Sequence, residues 1–513
     1  MHGSRKALTI SAIPALATAL FIAFFGTNVP FWDEWDLAEL LEKLAHHAAT
    51  LADFVQPQSE HRFVIPKLIL APLALHTHWN VTAELWLSFA VAVAGYIGLL
   101  ILMRGADGGR IFVTALAYFS LAACENWLWG WQFSWFLANT FFIWAVVAAD
   151  SIRNRFLQVA AAAVFCVLST FSAAYGIASW LALAPFLWLP VKEDETTVRR
   201  VAAFAVWAAF FSASLGFYVY RYDVTPGGSS CGEVSCWIRY VLAVAGSPLT
   251  RTNTLSIAVG GILLASFTIV GLRAWVNRER PALPWIPIGL FAIGFAIINA
   301  IGRSGLGLGQ ALSSRYLTPA SFLLIAAINL DWRPHRFRHA LRIGVTAALM
   351  VQSLTSIPFG WQIKHARDES RVCLELLLLN DSSDCTAPLA ASNATLRRRA
   401  IAMHQIGLRP LVAPSDFQAT PEVRGSIDIV GRFPTVRVRG RVELPSHGLY
   451  VVAATAEAER RIVAADLIRG AGNAEFLLNL PPHVTRRQSA FEVWLFVPAD
   501  RKLYRLSRVV TAR

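Results

Sequence analysis

From Ala7 to residue 358 the chain is a succession of long apolar runs separated by short basic loops, and a polypeptide of that pattern satisfies its backbone by crossing a lipid bilayer as a bundle of helices. Hydrophobic residues make up 55% of the sequence and charged residues 15%, a balance that excludes an ordinary soluble domain for this part. The runs fall at roughly 7–25, 83–103, 111–124, 132–149, 156–171, 176–190, 201–220, 252–272, 283–301, 316–330 and 340–358, so about eleven spans are expected. The first follows Arg5 and Lys6 as the apolar part of a signal peptide would, but at ~19 residues it is long enough to span. The bulky Phe31-Trp32 beyond it offers no small-residue cleavage site, and an uncleaved helix is expected.

Orientation follows from the placement of basic residues. With the N-terminus inside, Arg104 and Arg110, Arg153 and Arg155, Lys192, Arg199 and Arg200, Arg273, Arg278 and Arg280, and Arg333, Arg336, Arg338 and Arg342 all fall in inside loops. An odd number of spans then puts the C-terminal region outside. The cysteines agree with this map. Cys124 and Cys166 lie in or at the ends of apolar runs, whereas Cys231/Cys236 and Cys373/Cys385 are close pairs in external regions, where disulfides persist. A zinc site would need suitably spaced histidines beside these pairs, and the sequence has none there. The net charge of +13 lies largely in inside loops, so orientation and lipid headgroups account for it without nucleic acid as a partner.

Polar residues concentrate on the outer face. Phe31-Trp32-Asp33-Glu34-Trp35-Asp36 sets three acids among tryptophans where the first helix leaves the membrane, and Glu60-His61-Arg62 follows in the same connection, 28–82. Acids there are costly beside lipid unless they bind or react with something. As plain structure, Asp33 or Asp36 would cap a helix and Glu60-His61-Arg62 would form an exposed turn. Leu37 to Leu51 has the apolar spacing of an amphipathic surface helix, and Val64 to Leu75, with Pro66, Lys67 and Pro72, is too short to span and belongs in the interface. Trp127, Trp129 and Trp131 form an aromatic belt or a sugar-stacking surface, with Asn126 and Gln132 as capping or ligand-binding amides. The glycine-rich stretch Gly302 to Gln310 lacks the strand and Lys-Ser/Thr ending of a nucleotide site. Leading into Ser313-Ser314-Arg315-Tyr316, it fits a flexible loop, or one whose amides and Arg315 approach a lipid phosphate.

After residue 358 the composition turns mixed and Arg-rich. Residues 359–422 read as a connector with helices from Trp361 to Asn380 and from Ser392 to Ile406. Residues 423–513 alternate in short strands (435–442, 449–454, 474–480 and 491–497), which predicts a small β-sandwich.

An inside N-terminal helix, the Asp33-Glu34 pair at its outer end, a long first external connection, about eleven spans over 1–358 and an external C-terminal domain together resemble the glycosyltransferase C superfamily. Its members include the protein mannosyltransferases and the aminoarabinose transferases of lipid A. The resemblance implies transfer of a sugar from a polyprenyl-phosphate donor to a cell-envelope glycan, lipid or protein at the periplasmic face of a bacterial inner membrane. It also implies a carboxylate base. Asp33, first of the pair, takes that role, with Glu34 holding the acceptor, a metal or Asp33 itself, and Asp36 as the substitute. The departing phosphate needs cations, for which Arg62 and Arg315 serve, followed by His61, Lys67 and Arg303. Glu60, Trp35, Gln132, Asn126 and Trp129 are candidates for contact with sugar or acceptor. No cofactor is singled out; Asp33, Glu34 and His61 permit a divalent metal without demanding one. Two other classes stay open. A lipid-linked glycan ligase or polymerase works with basic residues and few essential acids, and a flippase would need internal charges and an inverted repeat that are not evident.

Overall fold

The computed structural model describes residues 2–191, 194–222, 229–330, 335–379, 386–413, 417–418, 425–430, 436–456, 462–480, 490–498 and 501–511. It is mostly helical, at 69%, with a C-terminal β region. The chain divides into two compact units. The first comprises Met1–Gly26, Ala49–Leu73 and Val81–Trp361, and the second Thr27–Ala48, Ala74–Asn80 and Gln362–Arg513.

Among the described residues of the chain, seven helices are long and apolar enough to cross a membrane: Val81–Leu102, Gly108–Leu128, Gly130–Ser151, Thr197–Val219, Asn253–Val276, Trp285–Leu306 and His339–Glu375. The other four expected runs are helical too. His2–Phe25 is a helix of 24 residues, apolar from Ala12 to Phe25 among the residues whose side chains are described; Arg155–Thr170 has 16 residues, Ala178–Trp188 has 11 and Leu317–Asn329 has 13. These last three fall short of the roughly 20 residues a bilayer needs, as does the described apolar part of the first, so seven helices meet that length among the described residues. Leu317–Asn329 is buried over nearly its whole circumference, which its largely apolar sequence permits. A helix that hydropathy missed, Val234–Gly246, packs against Asn253–Val276. Gly246 and Gly260 make the approach possible: a Cβ on Gly260 would collide with the Leu242 carbonyl, and one on Gly246 with that of Ser256. Polar contacts supplement this packing. Thr18 Oγ1 donates to the Phe119 carbonyl at 2.8 Å, joining His2–Phe25 to the end of Gly108–Tyr118.

At one end of the first unit the chain is knotted by Arg155, which is 2% exposed. Its Nε and Nη2 grip Glu195 at 2.7 and 2.6 Å, while its remaining donors reach Gln158 Oε1 and the carbonyls of Leu187 and Leu189 at 2.6–3.0 Å. All five guanidinium N–H groups are thereby used, which is what lets an ion pair persist in burial.

The second unit holds the helix Leu37–Ala45, whose Leu37, Ala38, Leu40 and Leu41 are buried as the amphipathic spacing requires. Six strands follow the helix Asn393–Gln405: β1 (Phe417–Gln418), β2 (Gly425–Val430), β3 (Val436–Ala456), β4 (Ile462–Leu480), β5 (Ala490–Val497) and β6 (Lys502–Thr511). They form one sheet in the order β1-β6-β5-β3-β2, with β4 also pairing with β3. The expected sandwich is thus replaced by a half-barrel. The two short runs at 435–442 and 449–454 are one long strand, bent by a register shift between Leu444 and Gly448. One face of the curled sheet encloses Val438, Val452, Phe476, Phe491 and Leu495. The other packs Val451, Trp494 and Phe496 against Val372 and Leu376, so helix residues supply the cover that a second sheet would have given.

Candidate active site

The acidic turn belongs to the second unit. Trp32–Asp36 is a short 3₁₀ segment, opened by Trp32 at φ 50°. Trp35 is buried edge-on against Trp79 at 5.3 Å, and its indole N–H donates to the Pro30 carbonyl. Its place is therefore structural, not at a sugar. Glu34 is also buried and accepts from the Phe31 backbone N–H at 3.1 Å, a capping role. Asp36 forms an ion pair with Arg399 at 2.6 Å. Of the three acids only Asp33 is exposed.

The second cluster belongs to the first unit, and it is not an exposed turn. Arg62 is 3% exposed; it donates to the carbonyls of Tyr218 at 2.6 Å and Val55 at 2.7 Å and to that of Tyr220. Arg62 is a tie between chain segments, committed to carbonyls and withdrawn from any phosphate. Lys67 is likewise buried, its Nζ directed to the Asp53 carbonyl at 3.3 Å. Glu60 instead pairs with Arg303, and its backbone carbonyl accepts from the hydroxyls of Tyr218 and Tyr222 at 2.8 and 2.7 Å. Burial favours the neutral Glu60 carboxyl, but His61 and Arg303 outweigh it and hold its pKa below the usual carboxylate value.

His61 stacks on Phe63 at 4.5 Å, and its Nδ1 accepts from the Ala174 backbone N–H at 3.0 Å. The proton of the neutral ring then sits on Nε2, which faces Glu60 Oε1 at 3.7 Å. Burial draws the His61 pKa down to about 4; Glu60 opposes the shift, and the charges of Arg303 and Arg315 add to it. A neutral His61 with one nitrogen accepting and the other protonated offers no lone pair to a metal. Among the described residues no group of three or more His, Cys, Asp or Glu side chains could hold one.

Arg315 reaches this cluster from the turn Ser314–Tyr316. A residue the sequence had left in the aromatic stretch fixes that turn: Glu125 accepts from Ser313 Oγ at 3.1 Å, from Ser314 Oγ and from the Arg315 N–H at 3.2 Å. The Arg315 backbone amide and both serine hydroxyls are consequently spoken for, which leaves the guanidinium of Arg315 as the turn's charged donor. Its Nε is buried and has no hydrogen-bond partner among the described residues. Asn126 braces the same turn, donating to the Arg315 carbonyl at 2.9 Å and Thr318 Oγ1 at 2.7 Å.

Trp127, Trp129 and Trp131 are all buried, at 0%, 4% and 3% exposure, so they are not a belt facing the membrane interface. Trp127 packs on Phe136 at 4.6 Å and Trp131 on Phe63 at 5.1 Å. Gln132 is buried beside them with its Oε1 unpartnered among the described residues. A half-buried aromatic beside the turn is instead Trp135, stacked on Tyr316 at 5.9 Å and edged by Tyr175 and Phe295. Tyr240, on the helix that hydropathy missed, is buried close enough to Arg303, Arg315 and Tyr316 for their fields to act on it. No spacing rule singles out Glu125, Trp135 or Tyr240 in one sequence; they meet only through the packing of four helices.

The two close cysteine pairs divide between a bond seen and one partly described. Cys231 and Cys236 are disulfide-bonded, and their loop clasps the residues after Arg303: Gly305 N–H donates to the Ser229 carbonyl at 2.6 Å and Cys231 N–H to Ser304 Oγ at 3.2 Å. Cys373 is disulfide-bonded as well, while its expected partner Cys385 lies outside the described residues. Cys124 and Cys166 are free and buried. Compared with known proteins, the chain matches no protein-family model and no curated sequence.

Proposed function

We propose that this chain is a membrane glycosyltransferase that moves a sugar from a polyprenyl-phosphate donor to a cell-envelope acceptor. The observation that carries the proposal is Arg315: a half-buried arginine whose Nε has no partner among the described residues, at the ends of apolar helices, beside Arg303 and a neutral His61. A guanidinium held this way suits an anionic oxygen that gains charge as the bond to the sugar breaks. In this reaction the acceptor hydroxyl attacks the anomeric carbon, the carbon–oxygen bond to phosphate breaks with its electron pair on the phosphate, and a carboxylate takes the hydroxyl proton. Asp33, the exposed acid of its turn, is the base in this proposal; Glu34 and Asp36 position it through their own contacts. The N-terminus inside, the C-terminal region outside and a bacterial inner membrane complete the proposal.

The test is transfer of radiolabelled sugar from synthetic polyprenyl-phosphate sugars by the purified chain. Transfer that disappears in both Asp33→Asn and Arg315→Ala supports it; inertness toward every donor overturns it. A second class is favoured by one feature of the first unit, where both carboxylates described beside the arginines are already committed, Glu60 to Arg303 and Glu125 to the Ser313–Arg315 turn. That arrangement suits a lipid-linked glycan ligase. Transfer from a lipid-linked oligosaccharide that survives Asp33→Asn and fails in Arg315→Ala would select it.

A further inference from the structure

Away from Arg315, a shallow open cleft of about 30 Å³ lies at the helix ends of the first unit, lined among others by Asp150, Arg153, Gln158, Val191 and Arg280. It lies by Leu283, at the start of the helix Trp285–Arg303, whose other end carries Arg303. The 19 residues between rise about 28 Å, the thickness of a bilayer's hydrocarbon core. The cleft and the Arg303 cluster therefore mark two membrane surfaces. Trp188, 42% exposed at the end of its helix, stands where interfacial tryptophans do.

The floor of the cleft is rigid. Gln158, one of its walls, is held by Arg155 and by the Ala149 carbonyl, and Val191 N–H donates to Glu195 at 2.9 Å. Its charges are uncommitted by contrast. Among the described residues neither Arg153 nor Arg280 forms an ion pair, and Asp150 lies in the fields of Arg104, Arg153 and Arg280, in that order, without an ion pair to any of them. Two guanidiniums and one carboxylate spaced around an open cleft match a ligand that carries both signs of charge.

We propose that this cleft binds the headgroup of an amine-bearing membrane phospholipid, the phosphodiester between Arg153 and Arg280 and the ammonium on Asp150. Two arginines at the headgroup level supply the anion's attraction. A purely anionic headgroup would leave Asp150 facing a negative ligand, so the carboxylate sets the preference. The proposal is independent of the transferase reaction.

The test is native mass spectrometry of the delipidated full chain titrated with dioleoyl phosphatidylethanolamine or dioleoyl phosphatidylglycerol. The ethanolamine lipid is expected to be retained at lower concentration than the glycerol lipid. The double variant Arg153→Ala/Arg280→Ala should weaken its retention by roughly thirtyfold. Asp150→Asn should abolish the preference between the two lipids while keeping the melting temperature, a readout that general loss of structure would not give. Equal retention of both lipids by the unaltered chain, or retention unchanged in both variants, overturns the proposal.

Discussion

At the scale of single residues, two arginines that look alike in the sequence carry opposite consequences. Arg62 is enclosed by three carbonyls, and replacing it with Ala strands those acceptors, at a cost of at least about 2–3 kcal/mol. A lower melting temperature in detergent would register it. Arg315→Ala is expected to keep the melting temperature and to weaken binding of a polyprenyl phosphate about tenfold or more, measured by titration of the lipid. His61 makes a third prediction. Its folded pKa of about 4 lies below the free value of 6.5, so the unfolded chain takes up the proton first as pH falls. The stability it contributes is full above about pH 6.5 and is lost as pH drops toward 4; its imidazole resonances, followed by NMR, should stay neutral through pH 5. A titration midpoint near 6.5 would contradict the burial argued for it. Glu60-His61-Arg62 was legible in the sequence as a polar cluster, but whether each member faced a ligand or a carbonyl was not, since that depends on the Tyr218–Tyr222 segment some 160 positions away.

At the scale of elements, the bundle is held by small residues and by one buried ion pair. Gly260→Ala must push Val234–Gly246 off Asn253–Val276, and an overpacked contact of that kind costs typically about 1–3 kcal/mol. Thermal unfolding against Gly261→Ala, where a Cβ meets open space, is the matched control. Arg155→Ala leaves Glu195 buried without its cation and should cost about 3–5 kcal/mol. Hydrogen bonds from Arg155 hold the Glu195 carboxyl below its ordinary 4.5, so this contribution is present above that pH and lost as pH falls through the folded value. An acid-unfolding curve that Arg155→Ala leaves unshifted would show the pair to be idle. Hydropathy located these helices because length and apolarity are local properties. It overlooked Val234–Gly246, and it reads a short helix that is apolar through burial in protein, as at Leu317–Asn329, in the same way as a span.

At the scale of the whole molecule, the proposed orientation predicts labelling from opposite sides. A cysteine introduced at Arg278 should react only from inside the membrane, and one at Gly309 only from outside. What the sequence by itself determined is the class of chain: apolar runs with basic loops, two pairs of close cysteines, one now seen bonded, and a β-rich C-terminal region. Those follow from composition and period, which act over a few residues at a time. The tertiary structure alone decided that Asp33 is exposed while Glu34 caps and Asp36 is paired, that the tryptophans of the 127–131 stretch are core, and that Glu125 sets the Arg315 turn. It also turned the expected sandwich into one curled sheet, because residues of the helix Ile357–Glu375 cover the face a second sheet would have covered. Burial and partners are set by which distant segments meet, and no local pattern carries that information.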